Sequence, residues 1–192
     1  MTEMKNNLRR RGGPASLLMT SSRDTTLIGK TLEDLAQERR KMPVETAVDI
    51  IRQSGASIAS FNMKEDDLER FMQQDFVMTG SDGSTGHPRK YGAYPLKLRK
   101  YVYEKKLISL PFAVRASSGL VEETFHIKDR GLIQTGYYAD VIVFDEATIN
   151  ARSTFKRPRE LAEGMRYVFV NGEMVVEDSR YTGLLAGRVV KG

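Results

Sequence analysis

An apolar run that ends at a carboxylate between glycines constrains this chain more than any other feature. Phe76–Thr79 has the length and the aromatic and β-branched content of a buried strand. Gly80-Ser81-Asp82-Gly83 follows it, and the two glycines allow the backbone angles that would hold Asp82 at the strand's carboxyl end. Parallel sheets and barrels carry their chemistry at that end. The pattern alone favours an ordinary turn in which this aspartate bonds its own backbone, and the alternative is a functional Asp82 at the carboxyl end of the strand.

Strand and helix signals alternate along residues 15–116. Thr31 and Asp34 have the spacing of a capping box, and Pro43 suits the first turn of a helix that ends at Gly55. The apolar face predicted for this helix consists of Val44, Ala47, Val48 and Ile51. The predicted strands are Ala15–Thr20, Ser57–Phe61 and Phe76–Thr79, and the predicted helices span 31–40, 43–55, 64–73, 95–105 and 110–116, the last with Ser109 as N-cap. Strands separated by helices imply a parallel sheet with right-handed crossovers.

The pattern changes near residues 127–135. After this boundary the hydrophobic period shifts towards two, which is typical of antiparallel strands. Asn171-Gly172 is a strong hairpin signal between two of these strands. The three predicted strands are Ala139–Phe144, Tyr167–Val170 and Glu173–Glu177. The sequence therefore predicts an α/β part followed by a small β part.

Composition excludes several classes of function. The net charge is +5, and the basic clusters lack the interleaved aromatic residues that stack on bases, so we expect a solvated face rather than a nucleic-acid site. The absence of cysteine excludes disulfides, thiolate zinc ligands and a thiol nucleophile. Residues 1–11 are polar and no apolar run approaches the roughly 20 residues of a membrane helix, so we expect a soluble cytoplasmic protein without a membrane partner. The basic clusters are Arg9–Arg11, Arg39–Lys41 and Lys97–Lys100.

Motifs along most of the chain resemble one superfamily. Lys128–Ile133, Gly136, Ala139-Asp140 and Val141–Asp145 resemble the C-terminal signature of the amidohydrolase superfamily, and Val168–Gly172 resembles its closing hairpin. Within that superfamily, the chain resembles the N-acyl-D-amino-acid deacylases. The motifs that carry this second resemblance are Arg11–Pro14, Gly29–Leu32, Phe61-Asn62-Met63, Gly80–Gly83, His87-Pro88-Arg89 and Tyr91-Gly92.

The resemblance implies an α/β fold in two parts. Residues 1–130 would form the last strands and helices of a (β/α)8 TIM barrel, and residues 131–192 would belong to a small β-sandwich. A closed barrel needs eight strands and typically about 250 residues. The chain is therefore predicted to be the C-terminal portion of a deacylase. Alone it should be inactive, and its exposed barrel edges should make it oligomeric.

The resemblance also implies a mechanism. Asp82 matches the aspartate that takes a proton from a metal-bound water, which attacks the amide carbonyl of an N-acyl-D-amino acid, and then protonates the leaving amine. Zinc is the implied cofactor of the intact enzyme, and Asp82 is a possible weak ligand. A divalent metal lowers the pKa of its water towards about 7, so a nearby carboxylate is able to accept the proton.

Two further residues of this loop are candidates for substrate binding. Arg89 suits a bidentate fork on the substrate carboxylate, or else it anchors the loop through backbone carbonyls. His87 would touch substrate or metal, or else form a hydrogen bond that orders the loop. Tyr91 is predicted to pack, and His126 is predicted to lie at the surface or a helix end.

The departures from the family pattern concern the metal. The family has a His-x-His pair, a cysteine or modified lysine, and further histidines in the earlier part of the barrel, none of which is present here. Two histidines without cysteine make a poor first coordination shell, so this chain is not expected to hold zinc tightly. The alternatives are another amidohydrolase, such as a dihydroorotase-like enzyme or cyclic amidase, and a non-catalytic interaction module that retains the fold. The His87-Pro88-Arg89 loop argues against the first of these.

Overall fold

The structure is a computed structural model that describes residues 2–82 and 86–191. Gly83, which the sequence predicts to shape the Asp82 turn, lies outside the described residues. The α/β chain divides into two compact units. The described part of the first comprises residues 2–67, 86–87 and 154–158, and that of the second comprises 68–82, 88–153 and 159–191.

Helices α1 to α3 and a two-stranded sheet form the first unit. Its elements are α1 (Thr2–Arg10), a 3₁₀ turn (Pro14–Ser16), β1 (Leu17–Ser22), a second 3₁₀ turn (Thr25–Leu27), α2 (Leu32–Arg39), α3 (Pro43–Gln53) and β2 (Ala56–Ser60). The capping box is confirmed, because Asp34 N donates to Thr31 Oγ1 at 3.1 Å and Thr31 N donates to Asp34 Oδ2 at 2.8 Å. The core contains Leu17, Met19, Leu27, Leu32, Leu35 and Ile50.

Two sequence predictions in this unit are wrong. β1 and β2 pair antiparallel, with Leu17 opposite Ser60, rather than lying in a parallel sheet. The connection holds two helices joined by residues 40–42, and such short connections are typical of antiparallel helix pairs, which return the chain in the opposite sense. On α3 the buried stripe contains Val44, Thr46 and Ile50, whereas Ile51 is exposed. Val44 is buried and Ala47 packs against the core, as predicted, so the predicted face is wrong at Ile51 and omits Thr46 and Ile50.

Helices also dominate the first half of the second unit. They are α5 (Arg89–Leu96), a π-helix (Lys97–Glu104), α6 (Leu110–Ser117) and α7 (Gly119–Phe125), while α4 (Glu65–Met72) spans the division between the units. The predicted N-cap of α6 is confirmed, since Phe112 N donates to Ser109 Oγ at 3.3 Å. The core of this unit contains Leu98, Tyr101, Val102, Ile108, Ala113 and Ile149.

The predicted strand Phe76–Thr79 is not formed. The two sheets of the described chain are β1–β2 and β3–β6, and neither includes this segment. Phe76 is exposed, and Thr79 N donates to Ala116 O at 2.9 Å. A strand is defined by hydrogen bonds to a neighbouring strand, whereas here the amide of Thr79 is bonded to α6.

An antiparallel meander forms the rest of the second unit. Strands β3 (Val141–Phe144), β4 (Met165–Val170), β5 (Glu173–Glu177) and β6 (Arg180–Tyr181) lie in the order of the chain. The predicted hairpin is confirmed, since Asn171 and Gly172 connect β4 and β5 with φ of 52° and 85°. None of the helices within 2–82 and 86–191 is long and apolar enough to cross a membrane.

Candidate functional site

Asp82 and Arg89 form an ion pair in the second unit. Arg89 Nη2 lies 2.5 Å from Asp82 Oδ2, and the Asp82 side chain is 68% exposed. Arg89 begins α5, which sets the direction of its side chain. Asp82 itself adopts the left-handed conformation with φ of 47°, which aspartate tolerates better than most residues. Gly80 does not have positive φ, so the special backbone angle lies at the aspartate rather than at the glycine before it.

Thr79 holds the segment that leads into Asp82. Its main-chain oxygen accepts a hydrogen bond from Tyr94 Oη at 3.1 Å, in addition to the bond from its amide to α6. Its hydroxyl oxygen accepts from Lys97 Nζ at 2.5 Å and lies 3.0 Å from Ser117 Oγ. Every polar group of Thr79 therefore contacts α5, α6 or the π-helix, and the position of Thr79 is defined three residues before Asp82.

Lys97 is a functional candidate that the sequence prediction missed. The sequence predicts a solvated basic face at this position, but the structure buries Lys97, which is 8% exposed. Burial lowers the pKa of its ammonium from the ordinary 10.5. The sequence signal that could have indicated its burial was its place in the apolar stripe of the helix, beside Leu98 and four residues before Tyr101.

Pro88 and Gly92 fix the segment after the loop. Ser153 Oγ donates to Pro88 O at 2.9 Å. A Cβ placed on Gly92 would lie 2.4 Å from Ser153 Oγ and 3.1 Å from Ala151 Cβ, so the glycine allows a close approach of α5 to residues 151–153. This approach gives the Tyr91-Gly92 motif a packing role at Gly92.

His87 belongs to the first unit, where it contacts aromatic rings. Its ring centroid lies 4.9 Å from that of Phe155 in an edge-to-face arrangement, and Phe155 contacts Phe61 in the same way at 5.1 Å. The Phe61 and His87 motifs are therefore parts of one aromatic cluster. The contact with substrate predicted for His87 stays a prediction. His126 is the C-cap of α7, as predicted for a helix end.

Separate motifs of the amidohydrolase-like signature, which lies within residues 128–172, contact one another. Arg130 forms an ion pair with Asp140, and its Nη2 donates to Asn171 Oδ1 at 2.5 Å. Asn171 N donates to Asp140 Oδ1 at 2.8 Å, and the Arg130 guanidinium lies 4.2 Å from the centre of the Tyr138 ring. Three parts of the signature are thus joined by hydrogen bonds, which indicates a structural role for it.

The described residues do not fit a metal site. Across residues 2–82 and 86–191, no group of three or more His, Cys, Asp or Glu side chains is arranged to hold an ion. Asp82 is paired with a guanidinium, whereas a metal centre requires several donors around one point.

The chain is similar to proteins of one family. Residues 17–176 match the family model described as "Amidohydrolase family". A D-aminoacylase of Alcaligenes xylosoxydans xylosoxydans is 36% identical over 168 residues, which cover 85% of this chain and 34% of that protein. An N-acyl-D-aspartate deacylase of the same organism is 30% identical over 164 residues, covering 83% of this chain and 33% of the relative. The chain thus spans about a third of the length of the curated relatives it matches.

Solved structures agree with these matches. A crystal structure of a D-aminoacylase superimposes with a TM-score of 0.84 at 38% identity, covering 92% of this chain and 38% of that one. An N-acyl-D-glutamate deacylase from Bordetella bronchiseptica, complexed with zinc and a phosphonate inhibitor, gives a TM-score of 0.77 at 31% identity, covering 87% of this chain and 36% of that one.

Proposed function

The chain belongs to the amidohydrolase family, and on that basis we propose that it is the C-terminal portion of a hydrolase that cleaves the amide bond of N-acyl-D-amino acids. The observation that carries this proposal is the similarity to D-aminoacylase over 92% of the chain at a TM-score of 0.84. The family match, residues 17–176, includes Asp82, His87 and Arg89. In this proposal residues 1–130 complete a TIM barrel and residues 131–192 complete a β-sandwich. The cytoplasmic location stays a prediction.

Asp82 is the proposed proton carrier. Its carboxylate takes a proton from the attacking water as the water oxygen bonds to the amide carbon. The same proton then passes to the leaving nitrogen while the C–N bond breaks. The exposure of the side chain and the contacts of Thr79 before it support this role, since a base must be both accessible and positioned. Proton transfer by such a group accelerates a reaction by roughly 10²–10⁴-fold.

Arg89 is the proposed binding residue for the substrate carboxylate. A guanidinium is able to offer two parallel donors to a carboxylate, and in the structure one of its nitrogens, Nη2, pairs with Asp82 Oδ2. A substrate carboxylate on Arg89 would compete with Asp82 and release its oxygens for proton transfer. The ion pair therefore supports a shared role for the two residues, and His87 is the second proposed binding residue.

Metal chemistry is not assigned to this chain. One solved relative is described as having a binuclear metal centre, and another is complexed with zinc. Because the described residues offer no set of three donors, no step of the proposed reaction passes through a metal held by this chain. The second candidate, a non-catalytic interaction module with the same fold, would need no metal.

Asp82→Asn tests the proposal in the complete protein that contains this chain. The asparagine keeps the size of the side chain but removes the proton acceptor, so kcat for N-acetyl-D-amino acids should fall by about 10²-fold or more while the fold is retained. The release of free D-amino acid and the melting temperature are measured together, with Asp75→Asn as the control, because Asp75 is exposed. A normal kcat would assign Asp82 to a turn, and no hydrolysis by the unmutated protein would favour the interaction module.

A further inference from the structure

Lys97 is a buried cation without an acidic partner among the described residues. Its exposed fraction is 8%, and no carboxylate of residues 2–82 or 86–191 pairs with it, so Thr79 is its hydrogen-bond partner there. Burial of an ammonium without a counter-ion opposes folding. Its neighbours Leu98, Tyr101 and Val102 are core residues, and an apolar side chain at position 97 would join them without that cost. Packing alone therefore does not explain a lysine here.

The backbone at Lys97 is also unusual. Lys97 begins the π-helix Lys97–Glu104, two residues after Pro95, which lies inside α5. The π character is evident at its end, where Lys105 N donates to Lys100 O at 2.9 Å, five residues back. Such turns are rare and frequently occur at functional sites. This observation is independent of the charge of Lys97 and points to the same position.

We propose that Lys97 is a positioning residue for Asp82 and that it acts through Thr79. The ammonium fixes the Thr79 hydroxyl, and the Thr79 backbone is held by Ala116 O and Tyr94 Oη. A Cβ added to Gly80 would meet no atom within 4 Å, so the segment after Thr79 is not packed at Gly80. Among the described residues, the contacts that hold Asp82 are therefore those of Thr79 before it and its own ion pair with Arg89. The inference rests on the proposed role of Asp82.

Four variants of the 192-residue chain separate this role from general stability. Lys97→Met removes the donor, Thr79→Val removes the acceptor at nearly constant shape, and Thr79→Ser retains the hydroxyl. Lys128→Met is the matched control, because Lys128 is exposed. Hydrogen exchange of the amide of residue 79, ¹⁵N relaxation of residues 80–82 and the melting temperature are measured for each, at a concentration at which light scattering shows the same single species for all variants.

The expected result is a looser loop in a chain that is equally stable. In Lys97→Met and Thr79→Val the amide of residue 79 should exchange faster by about tenfold or more, and the order parameters of residues 80–82 should fall. Thr79→Ser and Lys128→Met should remain within about twofold of the unmutated chain. The melting temperature of Lys97→Met should not fall, because the buried charge is removed.

Unchanged exchange in Lys97→Met, or equal effects of Thr79→Val and Thr79→Ser, would overturn the inference. If Lys97→Met does not fold, the comparison of Thr79→Val with Thr79→Ser tests the inference, because both of those variants keep the lysine. The experiment uses no substrate. Its outcome is therefore distinct from that of the hydrolysis assay, which tests the proposed function.

Discussion

At the scale of single residues, Lys97 links folding stability to pH. Burial places the pKa of its ammonium below 10.5 in the folded state, while the unfolded chain keeps the ordinary value. Between these two values the unfolded state binds more protons. The free energy of unfolding therefore rises with pH through that interval and gains nothing more from Lys97 above it.

We predict that this rise is absent in Lys97→Met. Urea unfolding of both chains from about pH 8 to about pH 10.5 gives the difference in stability at each pH. Raised pKa values of Tyr103, through burial, and Tyr167, through the charge of Asp178, act with the opposite sign near the upper end. Both tyrosines are present in both proteins, so their effects cancel in the difference. Parallel stability curves would contradict the prediction.

Arg89 allows a second prediction at this scale. Arg89→Lys in the complete protein should raise KM for N-acyl-D-amino acids, because an ammonium cannot offer two parallel donors to a carboxylate. Steady-state kinetics with a substrate and its carboxyl-amide analogue measure the effect, with Arg115→Lys as the control, because Arg115 is exposed and pairs with Glu123 rather than Asp82. An unchanged KM for the acid would contradict this prediction and would limit the role of Arg89 to fixing Asp82.

At the scale of elements, Gly164 immediately precedes β4, at a position where a side chain has no space. Its φ is +78°, and an added Cβ would lie 2.4 Å from Ile149 N and 2.5 Å from Ile149 Cα. Ile149 is fully buried, and Gly164 O accepts from Asp145 N at 2.9 Å. A change here must therefore displace the backbone that carries the core.

We predict that Gly164→Ala lowers the free energy of unfolding by about 2–4 kcal/mol, through backbone strain and loss of core packing. Gly187→Ala is the matched control, since no atom lies within 4 Å of its added Cβ and its φ is not positive. Urea unfolding of both variants measures the difference. Equal stabilities would show that residues 148–149 shift without cost.

The elements that sequence reasoning predicted correctly are those defined by local contacts. The Thr31 capping box, the Ser109 N-cap and the Asn171-Gly172 hairpin each depend on residues within a few positions of one another. The failures depend on distant partners. Phe76–Thr79 lacks a neighbouring strand, the direction of β2 follows from how α2 and α3 pair, and the burial of Lys97 follows from the packing of its helix.

The candidate site divides in the same way. Asp82, His87 and Arg89 were recognised from motifs, but the pairing of Asp82 with Arg89 required the three-dimensional arrangement. Thr79 and Ser117 carried no sequence signal, because hydroxyl residues are common at exposed positions as well as in buried networks.

At the scale of the whole molecule, exposed apolar side chains and open strand edges favour association. Ile133, Leu185 and Val189 are each at least 90% exposed, and β1 and β2 form a sheet of only two strands. Unpaired strand edges recruit other chains. We predict that the isolated chain forms oligomers or aggregates, measured by light scattering across a concentration series. A stable monomer at high concentration would contradict this prediction.

Zinc binding by the isolated chain is the second prediction at this scale. The sequence contains two histidines and no cysteine, and the described residues contain no cluster of three donors. Because zinc sites are normally four-coordinate with nitrogen or sulfur ligands, we predict less than one retained zinc per chain after dialysis, measured by elemental analysis. A ligand that binds only the folded state raises stability by RT ln(1 + [L]/Kd), so zinc near its Kd would add only about 0.4 kcal/mol. The melting temperature should therefore change little on addition of zinc. One tightly held zinc, lost together with the added stability in His87→Ala, would instead place a metal centre within this chain and return the proposed chemistry to it.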